Sequence, residues 1–155
     1  MTLDPDIQRQ LAIDLFNLTW TYLDKPIRTI EENDAMLHAA HASRHHWAQV
    51  GKSVNLARGE WQISRVYAVL GRSEPALYHA QRCLDICQQH QIGDFDLAYA
   101  YEALARAHTI SQKWREARQY LDHATEAGKA IAEQEDKNWF DQDLSTIVIP
   151  EPGEG

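Results

Sequence analysis

The sequence predicts an all-α fold of about seven helices, and three observations carry that expectation. Apolar residues recur every three or four positions in one segment after another, cap and stop residues punctuate these segments, and no stretch alternates as a half-buried strand would. Asp4 before Pro5 reads as an N-cap with proline at the first helical position, and Leu11, Leu15, Leu18 and Tyr22 follow at helical spacing. The polar residues Asp14, Asn17, Thr21 and Asp24 form one narrow stripe, so this first helix is expected to be central, covered over most of its circumference. Lys25 and Pro26 break it. Thr29 and Glu32 make a capping box for a second helix from about Ile30 to Val50, which Gly51 ends.

Ser53 or Asn55 can start a third helix, in which Leu56, Ile63, Tyr67 and Leu70 share a face before Gly71 stops it. Ser73, Glu74 and Pro75 are expected to cap and open a fourth helix lasting to about His90. Gly93 is a stop, and Asp94 is expected to cap a fifth helix with Leu97, Tyr101, Leu104 and His108 on one side, ending near Ser111. A sixth runs from about Trp114 to Glu133 and a weaker seventh from about Asn138 to Ser145. The prolines of the last eight residues cannot continue a helix, which suggests one helical domain over 1–147 and an extended tail over 148–155.

Composition narrows the function. Fifteen basic against twenty-three acidic residues give a formal charge of -8, the wrong sign for broad contact with phosphate backbones, so no nucleic-acid partner is expected. No apolar run approaches the roughly 18 residues of a membrane span, and the first ten residues lack the pattern of a signal peptide. A cytoplasmic protein without a membrane partner is expected. Its two cysteines, Cys83 and Cys87, lie four apart on one helix in a geometry that disfavours a disulfide, and they read as reduced packing residues. No glycine-rich phosphate loop or strand-to-helix nucleophile elbow is present, so neither a cofactor nor a catalytic residue is expected.

The third-to-fourth and fifth-to-sixth helix pairs repeat without a gap at a spacing of 41 residues, which sets Ile63 on Leu104, Arg65 on Arg106, Tyr67 on His108, Ala76 on Ala117 and Cys83 on Ala124. Over residues 99–127, Tyr101, Leu104, Ala105, His108, Ala117, Leu121 and Ala124, with Trp114 opening an aromatic-x-Glu-Ala turn, resemble the tetratricopeptide repeat (TPR) family. Residues 58–92 follow the pattern more loosely, through Ile63, Ser64, Tyr67, Ala76 and Cys83. The family repeat is about 34 residues long. The seven extra residues lengthen the second helix by about two turns, on the order of 10 Å, and rotate its apolar face by only about 20°. Pro26 would fall on the Tyr67 position, so the first two helices do not join the alignment. The resemblance implies a right-handed array of antiparallel hairpins whose first helices line a concave groove holding a peptide.

In that register Arg58, Trp61, Arg65 and Arg72 fall within about 60° on the third helix, and Tyr99, Glu102, Arg106 and Thr109 take the equivalent face of the fifth. A groove of arginine and aromatic side chains on an acidic protein suggests an adaptor or scaffold that binds an acidic or carboxylate-bearing segment through Arg58, Trp61, Arg65, Tyr99, Glu102 and Arg106. The plainer reading pairs Arg65 with Glu102 or another acid. On the second helix Asp34, His38, His41 and His45 share an arc of about 60°, a spacing that permits a divalent metal and gives a metal-dependent alternative, but a solvated face or an interhelical hydrogen-bond network is the preferred reading. A structural homo-oligomer is the remaining alternative. Trp20, Trp47, Trp114 and Trp139 read as core or junction anchors.

Overall fold

Seven α-helices in chain order make up the computed structural model, which describes residues 2–151: α1 (Pro5–Leu23), α2 (Ile30–Val50), α3 (Ser53–Val69), α4 (Ser73–Gln89), α5 (Asp94–Ile110), α6 (Trp114–Lys129) and α7 (Gln134–Leu144). No strand occurs among the described residues, and none of their helices is long and apolar enough to cross a membrane. The first two helix starts follow from capping chemistry. Asp4 Oδ1 accepts the amides of Asp6 and Ile7 at 2.9 and 3.2 Å, while the Thr29 hydroxyl and Glu32 carboxylate exchange hydrogen bonds with each other's amides at 3.1 and 3.0 Å.

Two expected caps are corrected. Ser73 is the first residue inside α4 and its side chain makes no cap, so this start rests on Glu74 in the first turn and on Pro75. Asp94 is itself the first residue of α5, at φ 51°, and one carboxylate oxygen reaches 3.1 Å to the amide of Ala132 between α6 and α7. It therefore ties the start of α5 to the chain that delivers α7.

Consecutive helices pack as hairpins, α1 on α2, α3 on α4 and α5 on α6; α3 also packs on α5, and α7 lies on α5 and α6. The largest core cluster fills the space between the second and third hairpins with Ala57, Ala80, Cys83, Leu84, Cys87, Ala103 and Leu104. The 41-residue repeat is visible in detail. Gly71 and Gln112 both adopt positive φ, at 73° and 58°, and beside them the amides of Arg72 and Lys113 each donate at 2.9 Å to Tyr67 and His108 respectively. Tyr67 stacks on His79 and His108 on Tyr120 with interplanar angles of 9° and 5°, the same pair of positions with the residue types exchanged. Ala76 and Ala117 are both fully buried, as close helix contacts at matched positions require.

Helix α1 is peripheral rather than central. Only Ala12 and Thr19 are buried in it, and Leu11 and Leu18 remain 37% and 41% exposed. A periodic apolar face shows that a helix has a buried side but not how many neighbours it has, and as the first element of the array α1 rests on α2 alone over most of its length. The buried Ser43 hydroxyl fixes it there by donating to the Ala12 carbonyl at 2.7 Å.

Helix α6 ends at Lys129, earlier than Glu133, and α7 begins at Gln134, earlier than Asn138. The close approach at Gly128 explains the change of direction, since a Cβ there would lie 2.5 Å from Phe140 Cε1. Phe140 is fully buried at this crossing, where it packs with Tyr99, Ala124 and Ile131. Beyond α7 the chain runs without helix to the last described residue. Ile147 is buried and the Pro150 carbonyl accepts from Arg118 of α6 at 3.0 Å, while residues 152–155 of the expected tail lie outside the described residues.

Candidate functional site

The odd-numbered helices supply most of the lining of a cleft of about 580 Å³, with Cys83 of α4 and Ala57 of α3 among the lining residues. Its aromatic surface comes from Phe16 and Trp20 of α1, Trp61 of α3, and Phe95 and Tyr99 of α5. These rings are mutually braced. Trp20 and Trp61 stand 5.6 Å apart at 32°, Trp61 meets Tyr99 edge-on at 5.3 Å, Phe95 lies 4.7 Å from Tyr99, and Phe140 supports Tyr99 edge-on at 5.1 Å.

Five of the six groove residues expected from sequence form a bonded system with Asp143, and the sixth, Arg58, pairs next to it. Glu102 is 1% exposed and accepts three donors: the Trp61 indole at 3.1 Å on one oxygen, and Arg65 at 3.2 Å and Arg106 Nε at 2.8 Å on the other. Arg106 also donates to the Asp143 carbonyl at 3.1 Å and to Thr146 Oγ1 at 2.8 Å, and the Tyr99 hydroxyl donates to Asp143 at 2.6 Å. Arg58 forms a two-pronged pair with Asp96 at 2.8 and 3.1 Å. Burial lowers Arg65 from its usual range against the Glu102 charge, and the Asp96 hydrogen bond raises Arg58. All three arginines are therefore matched by the protein's own carboxylates. The reason for expecting an acidic ligand, unpaired arginines facing solvent, is removed by this pairing.

What remains at the cleft wall is acidic. Asp94, Asp96, Asp136 and Asp143 line it against one arginine, Arg58. Groups of nucleophilic type in the lining are held protonated: burial and the Asp143 bond push the Tyr99 phenol far up, and the Cys87 thiol with burial pushes Cys83 well up.

Among the residues that sequence reasoning missed, Trp20 and Asp143 had a signal. The 41-residue step that links Trp61 to Glu102, continued in both directions, lands on Trp20 and Asp143, and the step from Arg58 to Tyr99 continues to Phe140. Pro26 breaks the match at the end of α1, yet the inner-face register of α1 and α7 survives. Trp20 thus belongs to the cleft rather than to a junction, and Trp139 is 58% exposed rather than an anchor. Phe95, Asp96 and Asp136 carried no comparable signal.

The histidine stripe of α2 disperses. His38, His45 and Asp34 are exposed, while His41 turns inward to the Tyr67 hydroxyl at 2.8 Å. Among the described residues no group of three or more His, Cys, Asp or Glu side chains is placed to hold a metal ion. His41 belongs instead to a bridge through α3 and α4, in which its ring lies 5.5 Å from that of His79, His79 Nδ1 lies 2.6 Å from Glu60, and Arg44 donates to Glu60 at 3.1 Å. Gly59 makes room for Arg44, whose Cδ would lie 2.8 Å from a Cβ at that position.

Burial, aided by the neighbouring His79, lowers His41 from its usual value of 6.5. The unfolded chain then takes up this proton before the folded one, so stability is full above about pH 6.5 and falls as the solution is acidified below it. Burial alone would raise Glu60, but His79 and Arg44 outweigh it and hold the carboxyl low, so its contribution is lost only at more acidic pH. Urea midpoints measured between pH 7.5 and 5 are expected to fall, and to fall less in His41→Gln. A flat profile, or an unchanged slope in the variant, contradicts this account of His41.

No family model, curated protein or solved structure matches the chain.

Proposed function

We propose that this protein is a non-catalytic interaction module, an adaptor or scaffold of the cytoplasm, that holds a segment of a partner protein in the cleft between α1, α3, α5 and α7. The observation that carries the reading is the preformed aromatic surface: five rings from three hairpins line one concavity and are braced by Phe140 and the Glu102 system. Concave apolar surface with a few fixed polar groups is the usual form of a ligand site, and its volume lies within the range of about 300–1,000 Å³ typical of them. The protonated states of Tyr99 and Cys83 favour binding over chemistry, and the two free, buried thiols suit a reducing compartment. The resemblance to tetratricopeptide repeats supports the same face.

Selection of a displayed peptide library on the protein tests the reading. Selected peptides are expected to bind Trp20→Ala about tenfold or more weakly while its helical circular dichroism is unchanged, because a half-buried tryptophan lining the cleft is the type of side chain that concentrates binding energy. Failure to select any specific peptide, or equal affinity for the variant, overturns the proposal.

A further inference from the structure

We infer that the cleft receives a weakly hydrated organic cation, the guanidinium of an arginine or the head of an N-methylated lysine on the bound segment; the inference rests on the peptide-binding reading above. Its first support is geometric. Trp20, Trp61, Phe95 and Tyr99 line one concavity with rings inclined to one another, and the Arg65 guanidinium already lies over the Trp61 ring at 5.9 Å, the contact that a second cation would repeat on these rings. Such faces carry partial negative charge and attract cations, most strongly those that shed water easily, which separates guanidinium and methylated ammonium from the compact ammonium of lysine.

The second support is the sign of the wall. Asp96 is satisfied by Arg58, and Asp143 by Tyr99 with Arg65 further off at 3.8 Å. Asp94 accepts only backbone amides, from Phe95 and Ala132, and has no cation partner among the described residues. Asp136 is half-buried in the wall and makes no side-chain hydrogen bond or ion pair among the described residues; the charge it faces is Arg58, already claimed by Asp96. An anionic segment would meet these two carboxylates, whereas a cation resting on Trp20 and Trp61 would be drawn to them. Arg58 on Asp96 shows the same chemistry completed internally, one carboxylate along.

Four pools of otherwise randomised heptapeptides, with the central residue fixed as arginine, trimethyllysine, norleucine or glutamate, test this on the intact chain. The arginine and trimethyllysine pools are expected to be retained at least tenfold over norleucine, with glutamate lowest, and Asp136→Asn is expected to erase most of that preference while leaving norleucine retention unchanged. Equal or greater retention of norleucine overturns the cation and leaves the peptide reading standing; preference for glutamate overturns it in favour of an acidic ligand. Retention of no pool removes the peptide reading and, with it, a cation carried on a peptide. In a separate arm tetramethylammonium chloride is titrated against matched sodium chloride, and binding of that salt without retention of any pool assigns the cleft to a free small cation and overturns the peptide source. An unchanged preference in Asp136→Asn also overturns the assignment.

Discussion

Replacing Glu102 by alanine is expected to lower the unfolding free energy by about 3 kcal/mol, near the low end of what breaking a buried ion pair costs. The fully buried carboxylate accepts Trp61, Arg65 and Arg106 at once, and its removal leaves two guanidinium groups facing each other with Asp143 as the remaining anion. Their side chains keep 19% and 16% exposure, so water relieves part of the loss, which places the figure at the low end. Glu102→Gln keeps an acceptor for the indole and most of the volume, and is expected to lose less than the alanine variant. Urea unfolding followed by circular dichroism measures both. An alanine variant within about 1 kcal/mol of the parent would show that these residues behave as the exposed pairs usually do, as solvated surface.

Phe140→Ala is expected to release α7 from the array. The side chain is fully buried against Gly128, Tyr99, Ala124 and Ile131, and truncating a core phenylalanine costs about 3–5 kcal/mol. Since α7 packs on α5 and α6 and meets α3 through the Arg65–Asp143 pair at 3.8 Å, the loss falls on local opening before global unfolding. Amide exchange in residues 134–144 is expected to rise by about a hundredfold or more, at roughly tenfold per 1.4 kcal/mol, while amides of α3 to α6 keep most of their protection. A uniform rise over all seven helices would contradict the picture of a separately docked α7, and so would no change. The same variant removes the ring that supports Tyr99 and takes Asp136 and Asp143 away from the cleft, which makes α7 part of the site as well as the end of the fold.

The chain announces its helices because each carries local instructions: Thr29 and Glu32 set the start of α2, and Gly71 and Gln112 mark equivalent turns within a repeat whose register the alignment of Ala76 with Ala117 already contains. What it does not announce is which neighbour answers a given face. Leu11 and Leu18 have the spacing of core residues but sit on the open edge of the array, and Gly128 reads as an ordinary small residue until Phe140 arrives against it. The site divides in the same way. Arg58, Trp61, Arg65, Tyr99, Glu102 and Arg106 were legible from helical phase, and the plainer reading that Arg65 pairs with Glu102 describes their state. The sign of the cleft was not legible, because it depends on Asp96 neutralising Arg58 and on Asp94 and Asp136 joining from helix starts far apart in sequence.

The central claim is that a ligand occupies the inner face, and the indole N–H resonances of the five tryptophans report on it directly. Trp20 and Trp61 lie in the cleft, while Trp139 is exposed on α7 and Trp114 opens α6 outside it. Addition of a selected peptide to the isotopically labelled protein is expected to shift the Trp20 and Trp61 indole signals to saturation and to leave those of Trp114 and Trp139 in place. Shifts at Trp114 or Trp139 with Trp20 and Trp61 unmoved would contradict the account and place the interaction outside the cleft.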